Sequence, residues 1–141
     1  RQGEDYLFVS QSKFEQWLQD GFLLEHNRYC GHYYGTPAFS VNRAARTGLP
    51  VMLVIDVNGA LALKEMWPPL RLIFLAPPSE EALAQRLRKR GDDEGSIAAR
   101  LERAREEMAL KDRYDWTVIN DQLDDAVEQL ERIVGGRLGV R

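Results

Sequence analysis

A chain of 141 residues, 44% hydrophobic and 29% charged, is long enough for one domain with its own core. Its net charge of -3 argues against bulk attraction to nucleic acid, and no apolar run reaches membrane-span length or opens the chain as a signal peptide. The single cysteine, Cys30, excludes an internal disulfide; we expect it buried and inert, in a protein of the reducing cytoplasm.

In chain order, Tyr6–Val9 is a short aromatic and β-branched run, which predicts a strand. Ser12-x-x-Glu15 has the capping-box pattern, and Phe14, Trp17 and Leu18 follow at helical spacing until Gly21. Phe22–Tyr34, broken by Gly31, predicts a strand, a turn and a second strand. Pro37 sits just inside a helix reaching about Thr47 and ending at Gly48. Val51–Ile55 is continuously apolar, as in a strand buried on both faces, and a helix follows from about Asn58 to Met66. Leu70–Leu75 repeats the buried-strand signature. Ser79 then caps a helix to about Arg90, and polar Gly91–Ser96 reads as a loop. A charged helix covers about Ile97–Lys111, a strand Trp116–Ile119, and a last helix about Leu123–Val134, with Gly135 and Gly136 releasing a loose basic tail. Alternating strands and helices predict an α/β domain around a parallel sheet, with Tyr6–Tyr34 as a smaller insert.

Ligands of a parallel sheet sit beyond the carboxyl ends of its strands. Asp56 occupies that position after Val51–Ile55, and Asn120 and Asp121 occupy it after Trp116–Ile119. Asp56 serves equally well as the cap of the following helix. Arg86 and Arg90 lie four apart on one helix face, and Arg100 lies across the polar loop; together they could close over a phosphate chain. The alternative is a solvated face paired with glutamates, to which Arg88, Arg103 and Arg105 are assigned. Glu25, in an apolar and aromatic setting, is either an outward strand residue or a buried carboxylate needing donors, such as the adjacent N–H groups of a purine. His26 and His32 lack metal-ligand company, and neither zinc spacing nor a nucleophile–base pattern is present. These residues by themselves describe an α/β domain with an anion-binding character.

The ordered strings resemble the guanylate kinase family across nearly the whole chain. They are Arg1-Gln2-Gly3-Glu4 with Asp5-Tyr6-Leu7-Phe8-Val9, Gly31-His32-Tyr33-Tyr34-Gly35-Thr36-Pro37, Ile55-Asp56-Val57-Asn58-Gly59-Ala60 and Pro77-Pro78-Ser79. Arg86 through Arg90-Gly91, Ile97-Ala98-Ala99-Arg100-Leu101 and Tyr114-Asp115-Trp116 to Asn120-Asp121 complete the set. The resemblance implies a phosphate-loop-kinase-like parallel sheet flanked by helices, a small mixed-strand GMP-binding insert over residues 1–37, core segments at 38–85 and 112–134, a helical lid over 86–111 and a tail over 135–141. It implies transfer of the γ-phosphoryl group of ATP, bound with Mg²⁺, to GMP. Glu25 and Thr36 would read the base, and Arg1, Tyr6 and Tyr34 would hold the GMP phosphate, with Asp56 at the same nucleotide. Arg86, Arg90 and Arg100 would reach the transferred group, Arg86 and Arg90 also binding ATP, and Asn120 would contact adenine. GMP and ATP are the partners expected, with neither nucleic acid nor membrane, in a monomer or homodimer. The family also includes inactive modules that bind GMP or phosphopeptides; the retained arginines and Asn120 favour the enzyme.

The sequence departs from the family pattern in four places. It does not contain the opening strand and Gly-x-x-x-x-Gly-Lys-Ser/Thr phosphate loop, and its first residue is Arg1, so we expect that loop in a segment outside this sequence. The link from Glu4 to Asp5 is shorter than the family's, and the loop at Gly91–Ser96 is about one residue shorter. Val54 stands where a second acidic residue is common.

Overall fold

The computed structural model describes residues 6–29 and 31–138. Arg1 and Cys30, and the link from Glu4 to Asp5, lie outside them. The chain divides into two units, one ending at Pro68 and the other beginning at Pro69.

In the first unit, helix α1 (Gln11–Gln19) is capped two residues before the predicted capping box, by Ser10, whose Oγ accepts from the Lys13 amide at 3.2 Å. The antiparallel hairpin of β1 (Leu23–Tyr29) and β2 (His32–Pro37) forms as expected, turning through Gly31 at φ 82. Pro37 is the residue before α2 (Ala38–Ala45) rather than its first residue, and Gly48 follows at φ 75. Phe14 is buried and stacks on Tyr33 at 5.4 Å between ring centres. Helix α3 (Val57–Met66) packs against β1 and buries Val57, Ala60, Leu61 and Leu63.

Two predicted strands of this unit do not form. Tyr6 makes a single bridge, and residues 7–10 are exposed and irregular. Val51–Ile55 forms no strand, and Val54 is 96% exposed. An apolar run becomes a strand only when neighbouring backbone takes its N–H and C=O groups, and among the described residues no strand lies beside it.

The second unit holds the parallel pair β3 (Ile73–Ala76) and β4 (Trp116–Ile119). The Asn120 amide extends their ladder to the Ala76 carbonyl at 2.8 Å, and Asp115 Oδ2 accepts from the Leu72 amide at 2.8 Å below it. The pair is buried on one face rather than both. Phe74, Ala76 and Val118 are buried, whereas Leu75 is 53% and Ile119 45% exposed.

Helix α4 (Glu80–Arg90) is capped by Ser79, whose Oγ accepts from the Ala82 amide at 3.0 Å. It ends at Gly91, where φ 94 suits a residue without Cβ; the Asp92 amide then bonds back to the Leu87 carbonyl at 3.2 Å. Helix α5 (Glu94–Met108) begins three residues before the predicted start, because Asp93 caps it through the Ser96 amide at 3.0 Å. The predicted loop Gly91–Ser96 is therefore only a tight corner. Ala84, Leu87 and Ile97 form the core of that corner, with Leu83 and Leu101 packed around them. Helix α6 (Leu123–Leu138) packs on β4 and continues through Gly135 and Gly136, so the predicted release at Gly135 does not occur. Half-buried Leu130, Ile133 and Val134 keep its apolar face going, which offsets a glycine cost of about 1 kcal/mol each. Among the described residues, no helix is long and apolar enough to cross a membrane.

Ile97 is 2% exposed and joins α5 to α4. Ile97→Ala should lower the unfolding free energy by about 2–5 kcal/mol, read from urea titrations.

Candidate functional site

The hairpin register pairs Glu25 with Thr36 and Asn27 with Tyr34. Residues two apart on a strand share a face, so these four side chains lie together on one side of the hairpin. Thr36 Oγ1 donates to Glu25 Oε1 at 2.6 Å, and both residues are half-buried. Glu25 is thus neither an outward residue nor fully buried. Each carboxylate oxygen accepts more than one hydrogen bond, so the Thr36 contact leaves acceptor capacity on Glu25.

Helix α3 begins beside this carboxylate. Asp56 Oδ1 accepts from the Gly59 amide at 3.0 Å and caps the helix, while Oδ2 accepts from Asn27 Nδ2 at 2.7 Å. Asp56 therefore serves as the cap and also ties α3 to β1. Gly59 permits a close approach: a Cβ built on it would lie 2.7 Å from Glu25 Oε2 and 3.0 Å from Asp56 Oδ1. Both carboxylates sit against the first turn of the helix, where the helix dipole favours negative charge. Tyr34 lies edge-on to Tyr6 at 6.1 Å between ring centres, which places two phenols side by side; both are partly exposed.

The arginines form a second group, within the second unit. Arg86 donates from Nη1 to the Asn120 carbonyl at 2.7 Å and from Nη2 to the Asp121 carbonyl at 3.0 Å. Arg90 grips Asp92 with Nε to Oδ1 at 2.9 Å and Nη2 to Oδ2 at 2.6 Å, and Arg100 Nε reaches the same Oδ2 at 3.0 Å. The hydrogen bond from Arg90, more than its charge, holds the Asp92 carboxyl below the usual carboxylate range. Arg90 and Arg100 therefore share one anion, and Arg86 stands with Asn120 instead.

The arginines set apart as a solvated face do pair with glutamates. Arg88 binds Glu94 at 2.9 Å and Arg103 binds Glu107 at 2.9 Å, while Arg105 bridges Glu80 and Glu102. The Arg105 hydrogen bond holds the Glu80 carboxyl below its usual range.

Sequence reasoning missed Asn27, Gly59 and Asp92. The spacing of Asn27, two from Glu25, was a usable signal, as was the acid lying between two of the arginines. The closeness of Gly59 to Glu25 is long-range and had no local signal. Among the described residues, no three His, Cys, Asp or Glu side chains gather as a metal site.

The family model described as guanylate kinase matches residues 1–136. The guanylate kinase of Gloeobacter violaceus is 50% identical over 133 residues, covering 94% of this chain and 65% of its own length. That of Streptococcus thermophilus is 45% identical over 133 residues, covering 94% and 64%. The crystal structure of guanylate kinase from Anaplasma phagocytophilum superposes with a TM-score of 0.79 at 29% identity, covering 97% of this chain and 67% of the other. The chain thus spans slightly less than two thirds of these two curated relatives. Its α/β architecture is that of the phosphate-loop kinases. On the extent of the family match and the identity to these relatives, the chain belongs to the guanylate kinase family.

Proposed function

We propose that this chain supplies the acceptor site and the phosphoryl-contacting arginines of an ATP:GMP phosphotransferase, giving ADP and GDP. The observation that carries this reading is the half-buried Glu25 carboxylate, fixed by Thr36 and seated against Gly59. Guanine presents two adjacent N–H donors that a carboxylate can accept together. Adenine offers a ring acceptor beside its amine, which would meet the carboxylate unfavourably. Such a dedicated polar contact discriminates strongly, because the wrong base leaves a desolvated group unpaired.

Tyr6 and Tyr34 supply phenolic hydroxyls for the GMP phosphate, together with Arg1, and Thr36 also touches the base. Asp56 completes the acceptor side. Its Oδ1 caps α3 and its Oδ2 holds Asn27, so it acts by fixing the hairpin's distance from the helix. The acceptor phosphate oxygen attacks the γ-phosphorus of ATP in line, so no protein nucleophile is required. Mg²⁺ arrives with ATP as part of that substrate. Arg86, Arg90 and Arg100 spread the negative charge of the transferring group, and Arg86 and Arg90 also serve ATP. Asn120, held at the end of β4, faces the adenine, and Arg86 braces its backbone. We assign residues 1–37 to the acceptor insert, 38–85 and 112–134 to the core and 86–111 to the lid. The chain acts as a monomer or homodimer in cytoplasmic purine nucleotide metabolism, without nucleic acid or membrane.

The direct test is coupled ADP release by the intact protein with ATP and Mg²⁺, comparing GMP, AMP and no acceptor. Turnover confined to GMP supports the reading; equal turnover with AMP, or none with GMP, contradicts it. Glu25→Gln turns an acceptor into a partial donor facing the guanine N–H groups, and kcat/KM for GMP should fall at least about 100-fold. Gly59→Ala separates site from fold. Alanine favours the helix by about 1 kcal/mol, but its Cβ would meet the movable end of Glu25 at 2.7 Å and the capping Asp56 Oδ1 at 3.0 Å. Its melting temperature should therefore stay close to the parent's while KM for GMP rises about tenfold, a loss of one well-placed hydrogen bond.

A further inference from the structure

We propose that Asp92 is a positioning residue whose carboxylate gathers Arg90 and Arg100 into one anion-binding pair before the phosphoryl group arrives. The proposal rests on the reading of those two arginines as phosphoryl contacts. Arg90 ends α4 and Arg100 lies one turn inside α5, so two guanidinium groups from different helices are brought to one place. Like charges repel, and long side chains lose rotamer freedom when fixed. Asp92 offsets both costs, bound by Arg90 through two nitrogens and by Arg100 Nε at 3.0 Å on the oxygen they share.

The placement of Asp92 is specific. Its backbone is fixed by the bond from its amide to the Leu87 carbonyl, and its side chain is only 13% exposed. The neighbouring acids have other tasks: Asp93 caps α5, and Glu94 pairs with Arg88. Past the end of α4 the Asp92 carboxylate opposes the dipole of that helix, while just before the cap of α5 it lies where negative charge is favoured, so the two dipoles do not single out Asp92. Held by Arg90 below its usual titration range, it remains an anion at neutral pH. The carboxylate thus keeps the pair assembled, so that less ordering is required when charge develops on the transferring group.

The test uses the intact protein with ATP, Mg²⁺ and GMP, and compares Asp92→Asn, Asp92→Glu, Arg100→Lys and the double variant Asp92→Asn/Arg100→Lys. Asp92→Asn should lower kcat about tenfold and leave KM for GMP within about twofold, because the acceptor contacts lie elsewhere. Asp92→Glu, which keeps the charge, should recover part of the loss. The Asp92→Asn loss should shrink in the Arg100→Lys background, since Asp92 acts through that arginine. Turnover by the parent protein with an unchanged kcat in Asp92→Asn, or with fully additive losses, overturns the proposal and leaves GMP phosphorylation standing. Absence of GMP-dependent turnover in the parent protein overturns that reading, and this proposal with it.

Discussion

The hydrogen bond from Thr36 to Glu25 is the contact on which the proposed acceptor site depends. It fixes a half-buried carboxylate across a two-stranded hairpin, and the register of that hairpin is what brings the two residues opposite each other. A slip of one residue between the strands would put Glu25 and Asn27 on the opposite face from Tyr34 and Thr36. The hairpin is held in turn from outside, through Asn27 and the capping residue Asp56, to the first turn of α3. Gly59 completes the arrangement by leaving out the one atom that would collide with Glu25. Helix capping, strand pairing and the proposed base selection therefore share a single set of contacts.

The arginine group follows a different logic. Phosphoryl transfer needs concentrated positive charge, and concentrated positive charge is unfavourable in a folded chain. Here Arg90 and Arg100 are held on Asp92, and Arg86 on two backbone carbonyls beyond β4. Each arginine is held on a protein acceptor, which in the proposed reaction a phosphate would replace or supplement. The corner that carries them rests on a small apolar core around Ile97, with a glycine and two aspartates doing the turning.

Much of this was legible in the sequence because it is local. The hairpin followed from the aromatic run broken by Gly31, α3 from the residues after Asp56, and the Ser79 cap from its position after two prolines. The errors arose where a longer-range partner decides the outcome. Val51–Ile55 has the composition of a central strand but no neighbour among the described residues, and β3 and β4 have one open face. The start of α5 was misplaced because Asp93, within the predicted loop, caps the helix, and α6 passed two glycines because its apolar face continues. Glu25 was singled out by its apolar setting and Thr36 by the family resemblance, whereas Asn27 and Gly59 required the register and the approach of α3.

The central claim is that one carboxylate reads two adjacent N–H groups of guanine. The most direct measurement is calorimetric titration of the intact protein with GMP and with inosine monophosphate, which differs only by lacking the 2-amino group. Loss of one hydrogen bond to a charged acceptor, about 1.5–3 kcal/mol, predicts affinity roughly 10- to 150-fold weaker for inosine monophosphate. Equal affinity for the two nucleotides would contradict the account, since Glu25 would then not be reading the base through both donors.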